Sequence, residues 1–262
     1  MTPQQLDLAA TALWEATSGA RLISALPERA IPRTRAEGYA AQQALARLSG
    51  QQPYGWKIAS TSVAGQKHLN VDGPLAGRLF LNQVLPMSLP VSLAGNGMKL
   101  GEAEFAFRIA KDLPPHSNAY SVAEVMASVA ALHAAIELPD SRFSDYRQVG
   151  VPSLIADNAC AREFILGDEV RMDWHRLDLA NHPVTVQRNG EPNCDGIGAN
   201  VLGDPRIALT WLANELNIYG LMLRAGETVT TGTCVVPFAL APGDQFTADF
   251  GALGSVGISI AN

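Results

Sequence analysis

The chain has 262 residues, of which 47% are hydrophobic and 17% charged, with a net charge of -6. That composition supports one large folded domain, or a domain with a small appendage, and excludes global disorder. With no Lys/Arg run and no interleaving of basic and aromatic residues, nucleic acid is excluded as the expected partner. No apolar run approaches membrane-spanning length, and Met1-Thr2-Pro3-Gln4-Gln5 lacks the basic and apolar regions of a signal peptide. Cys160, Cys194 and Cys234 match neither a disulfide framework nor a zinc spacing. The expectation is a soluble, cytoplasmic protein.

Thr2-Pro3 opens a first helix, with Leu6, Ala9, Ala10, Leu13 and Ala16 at helical spacing. After Pro27 and Pro32, Thr34-Arg35-Ala36-Glu37 reads as a capping box for a second helix that stops at Gly50. Residues 1–52 are thus expected to form a helical arm and residues 53–262 the catalytic domain. Gly55-Trp56-Lys57-Ile58-Ala59 has strand character, Ser62 caps a short helix to Leu69, and Asn70 to Pro74 turn the chain into a strand at 77–81. Another strand follows at 100–110. Ser121-Val122-Ala123-Glu124 is a second capping box, from which a helix burying Val122, Val125, Met126, Val129 and Leu132 is predicted to run on toward Glu137, with His133 near its C-terminal end. Asn189-Gly190 marks a hairpin. Asp204-Pro205 starts a helix predicted to bury Ile207, Ala208, Trp211, Leu212 and Leu216, and the tail from Glu227 is a Gly/Thr/Val-rich β segment. The whole reads as an α+β fold: a helical arm, then a much-folded sheet.

Glu102 and Glu104 stand at i and i+2 in Gly101-Glu102-Ala103-Glu104-Phe105-Ala106-Phe107. On a strand both carboxylates share one face, where they repel unless a cation lies between them. Glu137 is a third acid in an apolar run. Three carboxylates without a well-placed His or Cys describe an oxygen-only site suited to Mg²⁺ or Mn²⁺. The alternative for the pair is a solvated strand face. Lys57, in an apolar strand, either snorkels at a sheet edge or meets a carboxylate or ligand. Asp72 fits ordinary turn chemistry unless the fold brings it to the acids. Thr230-Thr231-Gly232-Thr233 is either a β turn or a cradle for a small carboxylate. No Gly-x-Ser-x-Gly, Walker or Gly-x-Gly-x-x-Gly motif is present.

Taken in order, Gly55-Trp56-Lys57-Ile58, Val71-Asp72-Gly73-Pro74, Glu102-Ala103-Glu104, Ile136-Glu137, Ala156-Asp157-Asn158-Ala159, Gly203-Asp204-Pro205 and Thr231-Gly232 resemble the 2-keto-4-pentenoate hydratase and 4-oxalocrotonate decarboxylase family, a branch of the fumarylacetoacetate hydrolase superfamily. The resemblance implies a mixed β-roll of that type, usually a homo-oligomer. It also implies Mg²⁺ or Mn²⁺ held by Glu102, Glu104 and Glu137, catalytic roles for Lys57 and Asp72, and a substrate contact from Thr231. The implied activity is hydration of a 2-hydroxy-2,4-dienoate in aromatic meta-cleavage catabolism. The rival is decarboxylation of a 2-oxo diacid, with Arg142 or Arg78 as candidate partners of its second carboxylate. A non-catalytic subunit complexed with a pathway decarboxylase or hydratase is the third reading. The chain departs from the family pattern at Cys160, at Val63 and at Leu138-Pro139, which bears on the substrate rather than on the acids.

Overall fold

The computed structural model describes residues 1–262. Helix α1 (Pro3–Ser18) begins at a complete capping box: the Thr2 hydroxyl accepts from Gln5 N at 3.3 Å, and Gln5 Oε1 accepts from Thr2 N at 2.7 Å. Helix α2 (Arg35–Ser49) ends on Gly50, whose φ of 61° suits a residue without a Cβ. Thr34 caps Glu37 N as expected, but the Glu37 carboxylate does not return to Thr34. It accepts instead from Arg33 N and from the Met1 ammonium, each at 2.7 Å, and so ties the two helices together. The buried faces of α1 and α2 share an apolar cluster with Phe143 and Ala156 of the body.

Strand β1 (Pro53–Ala59) leads through helix α3 (Val63–Leu69), capped by the Ser62 hydroxyl, into β2 (Leu75–Phe80). Then come β3 (Leu100–Ile109), helix α4 (Val122–Met126), β4 (Val129–Leu138), helix α5 (Val151–Ala156) and β5 (Glu163–Glu169). Next are β6 (Pro183–Arg188), β7 (Glu191–Ile197), helix α6 (Pro205–Ile218), β8 (Thr228–Thr233), β9 (Phe238–Ala239), β10 (Gln245–Asp249) and β11 (Ser255–Ser259). The larger sheet runs β2-β1-β8-β3-β4-β5, with β9 added to the end of β3; only β1 and β8 are parallel. The smaller runs β11-β10-β6-β7, and its β10 and β11 pack against β4 and β5. This is an α+β fold with mixed sheets, behind a helical N-terminal arm.

The predicted long helix from Ser121 is the main correction. Its capping box is present, with Ser121 N donating to Glu124 Oε2 at 2.8 Å, but the helix stops at Met126. Residues 129–138 form β4 instead, a central strand paired with β3 on one side and β5 on the other. The run is apolar apart from His133 and Glu137 and so has little helical amphipathicity to defend, and two neighbouring strands decide it. His133 therefore lies mid-strand and buried, its Nδ1 3.0 Å from Gly167 O, rather than at a helix end. On α6 the Asp204 carboxylate caps Arg206 N at 2.7 Å as expected, but Ile207 is 47% exposed and Trp211 only half-buried. Asn189 and Gly190, with φ of 53° and 84°, make the two-residue turn between β6 and β7.

Alternation gives the sheet two different faces. Phe105, Phe107, Leu132 and Ile136 enter the main core with Phe246, Phe250, Val256 and Ile258 of the smaller sheet. Phe105 meets Phe250 edge to face at 5.1 Å. Each such ring buried contributes roughly 1.5–3 kcal/mol, enough to fix the register of β3. Fixing that register turns Glu102 and Glu104 to the opposite face. No helix is long and apolar enough to cross a membrane.

Candidate active site

On that opposite face Glu102 stands directly across the ladder from Glu137, and Glu104 across from Ala135. Carboxylate oxygens of all three acids lie within 4.8 Å of one another. Glu104 and Glu137 are fully buried, while Glu102 opens onto a cavity of about 630 Å³. Lys57, 2% exposed, reaches the same place from β1. Its Nζ lies 3.2 Å from Glu137 Oε1 and donates to Ala159 O at 3.1 Å.

Strand β8 supports the cluster through an irregularity. Between the pairs Glu104–Thr233 and Ala106–Thr230, β8 carries an extra residue. That bulge lets both the Thr230 hydroxyl and Gly232 N, the latter at 2.8 Å, donate to Glu104 Oε2. A glycine is required here: φ is 97°, and a Cβ would meet Thr61 Oγ1 at 2.1 Å.

The electrostatics are unbalanced. Burial raises the Glu102 and Glu104 carboxyls, Glu104 well above the ordinary range with Glu137 and Glu102 adding to the effect. Burial also lifts Glu137, to about 7, against the pull of Lys57. Burial alone would depress the Lys57 ammonium, but Glu137, Glu102 and Glu104 outweigh it and raise it. Were all three carboxylates ionised, the Lys57 ammonium would offset only one of their charges, which is why their protons are held without a cation. Glu104 Oε1 and Glu137 Oε2, both buried, accept no hydrogen bond, and Glu137 Oε1 has only the Lys57 ammonium beside it. Hard oxygens left open in this way fit one divalent cation.

Around the cluster the cavity divides by chemistry. Lys57, Glu102, Ser60, Thr61, Ser62, Cys160, Asn200, Gly232 and Thr233 give its polar part, whereas Leu69, Met98, Leu100, Pro139, Val235 and Val236 are apolar. No arginine lines it. Its remaining imidazole, His68, bonds Tyr146 Oη at 2.9 Å, and burial together with Arg147 lowers its pKa toward the neutral form. Cys160 is a thiol, burial pushing it up to about 12.

The other predicted residues are placed as follows. Asp72 is exposed on the turn between α3 and β2 and does not line the cavity. Thr231 is buried, with its hydroxyl spent on Phe105 O at 3.0 Å; its neighbours Gly232 and Thr233 face the cavity. Arg78 pairs with Glu227 at 2.7 Å and lies over Trp56, while Arg142 pairs with Asp157. Neither enters the cavity. The Thr230–Thr233 stretch does cradle a carboxylate, but it is the chain's own Glu104. Sequence reasoning singled out the hydroxyls and amides of Thr230–Thr233 but for a bound carboxylate rather than for Glu104, and it gave the Ala159 carbonyl no role.

Comparison with known proteins agrees with this architecture. The family described as "Fumarylacetoacetate (FAA) hydrolase C-terminal" matches residues 49–261. A 2-keto-4-pentenoate hydratase of Paraburkholderia xenovorans (strain LB400) is 32% identical, over 98% of this chain and 95% of that protein. A 2-hydroxyhexa-2,4-dienoate hydratase of Comamonas testosteroni is 31% identical over 94% of each. Among solved structures, 4-oxalocrotonate decarboxylase from Pseudomonas putida G7, complexed with magnesium and adipate, superposes with a TM-score of 0.88. It is 27% identical, over 99% of this chain and 98% of that one. The chain belongs to the fumarylacetoacetate hydrolase superfamily, in its branch of 2-keto-4-pentenoate hydratases and 4-oxalocrotonate decarboxylases.

Proposed function

We propose that the protein is a divalent-metal-dependent hydro-lyase that adds water to a 2-hydroxy-2,4-dienoate, giving a 4-hydroxy-2-oxo acid, in meta-cleavage breakdown of aromatics. Glu102, Glu104 and Glu137 would hold Mg²⁺ or Mn²⁺. When bound, that cation acts as a Lewis acid toward the 2-oxo oxygen and C1 carboxylate of the substrate.

The chain's own groups supply the rest. Thr230 and Gly232 hold Glu104 in one orientation, leaving its second oxygen free. Lys57 presents a permanent positive charge at the cavity wall, beside the position where enolate charge develops. The dienol gives up its O–H proton and gains one at the far carbon. Water then adds across the new conjugated bond, hydroxyl to C4 and proton to C3. We assign the proton transfers to Asp72, which has to approach from the exposed turn after α3. Thr231 acts through its backbone, at the head of the strand segment that carries Gly232 and Thr233 into the cavity. Glu104 and Glu137 are buried, so their carboxylates are shielded from bulk solvent while Glu102 faces the cavity.

One observation favours hydration over decarboxylation of a diacid: the cavity has no fixed cation besides Lys57. A second substrate carboxylate placed against Leu69, Leu100 and Val235 would lose its water with no charged partner to replace it. A dienoate with a hydrocarbon end loses nothing there. The same reading expects a homo-oligomer, in which residues 1–52 serve as an assembly arm, and light scattering on the purified protein tests it.

The decisive assay offers 2-hydroxypenta-2,4-dienoate and 4-oxalocrotonate separately, with Mg²⁺ or Mn²⁺ and again after EDTA. Dienol loss without CO₂, abolished by EDTA, is the expected result. CO₂ release from the diacid would move the assignment to the decarboxylase. A protein silent on both substrates that nevertheless stimulates a pathway decarboxylase would be the non-catalytic subunit.

A further inference from the structure

Three consecutive residues beside the acid cluster, Asn158, Ala159 and Cys160, all have left-handed backbone angles, with φ of 52°, 48° and 64°. None is glycine. A single L-residue in this region is uncommon and a run of three is strained, because each Cβ crowds a neighbouring carbonyl oxygen. All three are buried, and the turn backs onto β2 so closely that a Cβ on Gly77 would lie 1.9 Å from Asn158 O.

Strain of this kind persists only where the surroundings impose it, and here they do. The Arg142 guanidinium spans the turn: Nε donates to the Asp157 carboxylate, Nη2 to the Asp157 carbonyl, and Nη1 to Ala161 O at 3.1 Å. It thus grips the residue before the turn and the residue after it. The Ser141 hydroxyl, at 2.7 Å, and Arg142 N, at 3.1 Å, also donate to Asp157 Oδ2. Asp140 N closes the far side on Cys160 O at 2.9 Å. The middle carbonyl of the turn, Ala159 O, is the acceptor for Lys57 Nζ. A turn of the ordinary hand would rotate that carbonyl away from the lysine. Lys57 would then have Glu137 alone to hold it, and would compete with a cation for the same oxygens.

We propose that Arg142 is a positioning residue for the reaction: by clamping Asp157 and Ala161 it keeps the 158–160 turn left-handed, so that Ala159 O holds the Lys57 ammonium at the cavity wall beside Glu137. This rests on the reading that Lys57 acts on the developing enolate. It gives Arg142, which touches no part of the cavity, an effect on turnover. The buried Arg–Asp pair is then more than an anchor between two loops.

The test is steady-state kinetics of Arg142→Lys, with the folded fraction measured by circular dichroism and rates expressed per folded protein. Lysine keeps one charge near Asp157 but cannot reach both carbonyls. The expected result is a kcat lower by about 100-fold, the usual scale for a catalytic group displaced by around 1 Å. KM should stay within a factor of about two, since the apolar lining is untouched. Ser141→Ala, which removes one bond to Asp157 and leaves the guanidinium in place, should move kcat the same way by a smaller factor. It decides the matter if Arg142→Lys does not fold. An anchor without influence on Lys57 would lower the melting temperature and leave kcat per folded molecule at the wild-type value, and that outcome overturns the proposal. Lys57→Met, assayed alongside, separates the two claims. If it retains turnover, the role of the lysine is wrong and the inference falls with it. If it loses turnover while folded Arg142→Lys and Ser141→Ala keep wild-type kcat, the inference alone falls.

Discussion

Glu102 and Glu137 face each other across the β3–β4 ladder as directly opposed residues, with Glu104 one step along the same face. Like charges in that relationship destabilise a sheet, by roughly 0.2–1 kcal/mol per pair even where solvent screens them. Burial strengthens the repulsion here. The position is thus poor for folding and good for gripping a cation. Glu102→Gln should raise the melting temperature of the metal-free protein by about 2–4 °C, the scale expected when ~1 kcal/mol is gained in a domain of this size. The same variant should lose Mn²⁺ binding in a calorimetric titration. A metal-free melting temperature that falls on this substitution would contradict the electrostatic reading.

Removing the cation from the wild-type protein should have the opposite sign. A ligand present at about 100 times its dissociation constant stabilises the folded state by ~2.7 kcal/mol. EDTA should accordingly lower the melting temperature of the metal-loaded protein by several degrees and abolish turnover, and excess Mg²⁺ or Mn²⁺ should restore both. Glu104→Ala should show neither the shift nor the activity. A melting temperature indifferent to EDTA and metal would argue against a cation at these acids.

How far this site could be read from the sequence depends on how local its chemistry is. The caps at Thr2, Ser62, Ser121 and Asp204 were legible because a side chain and an amide two or three residues away settle them. Glu102 and Glu104 were legible through period-2 alternation, and Glu137 through a charge placed in an apolar run. Strand β4 was not legible as a strand: apart from His133 and Glu137 it is apolar on both faces, and its conformation is decided by β3 and β5. The partner of Lys57 depends on the same long-range register. The turn at 158–160 was least legible, because alanine and cysteine give no hint of left-handed backbone. Its shape comes from Arg142, a residue that sequence reasoning had considered for the substrate.

The raised Glu137 carboxyl predicts a pH dependence of the metal-free fold. Its proton is held more tightly in the folded state, where it titrates near 7, than in the unfolded chain, where the ordinary value is 4.5. Folding is therefore not penalised by this group below about 4.5, is penalised progressively between about 4.5 and 7, and carries the full penalty above. For one group the total is on the order of 3 kcal/mol. Lys57 contributes in the other direction, but its stabilisation is lost only above its unfolded value of 10.5, outside this window. Urea unfolding in EDTA at pH 5 and pH 7.5 should show a loss of stability on going to the higher pH. That loss should shrink in Glu137→Gln and in wild-type protein saturated with Mn²⁺. Equal slopes for wild type and Glu137→Gln would remove Glu137 as the cause.

Substrate choice gives the last prediction. The apolar wall contains Val236, which lines the cavity yet is 71% exposed, so a longer side chain there can enter from solvent without repacking the core. An arginine at this position would place a guanidinium where the wild-type cavity has only hydrocarbon. A diacid would then gain a charge-assisted pair for its second carboxylate, a contact of about 1.5–3 kcal/mol in a partly dry setting. A dienoate with a hydrocarbon end would gain nothing and lose some apolar contact. Val236→Arg should therefore shift the ratio of kcat/KM for the diacid over the dienoate by about 10- to 100-fold toward the diacid, mainly through KM. Binding of adipate, a saturated diacid that cannot react, should tighten in parallel. If the variant binds adipate no better than the wild type, the wall is not where the far end of the substrate lies, and the preference for a hydrocarbon-ended substrate must be sought at Leu69, Met98 and Pro139 instead.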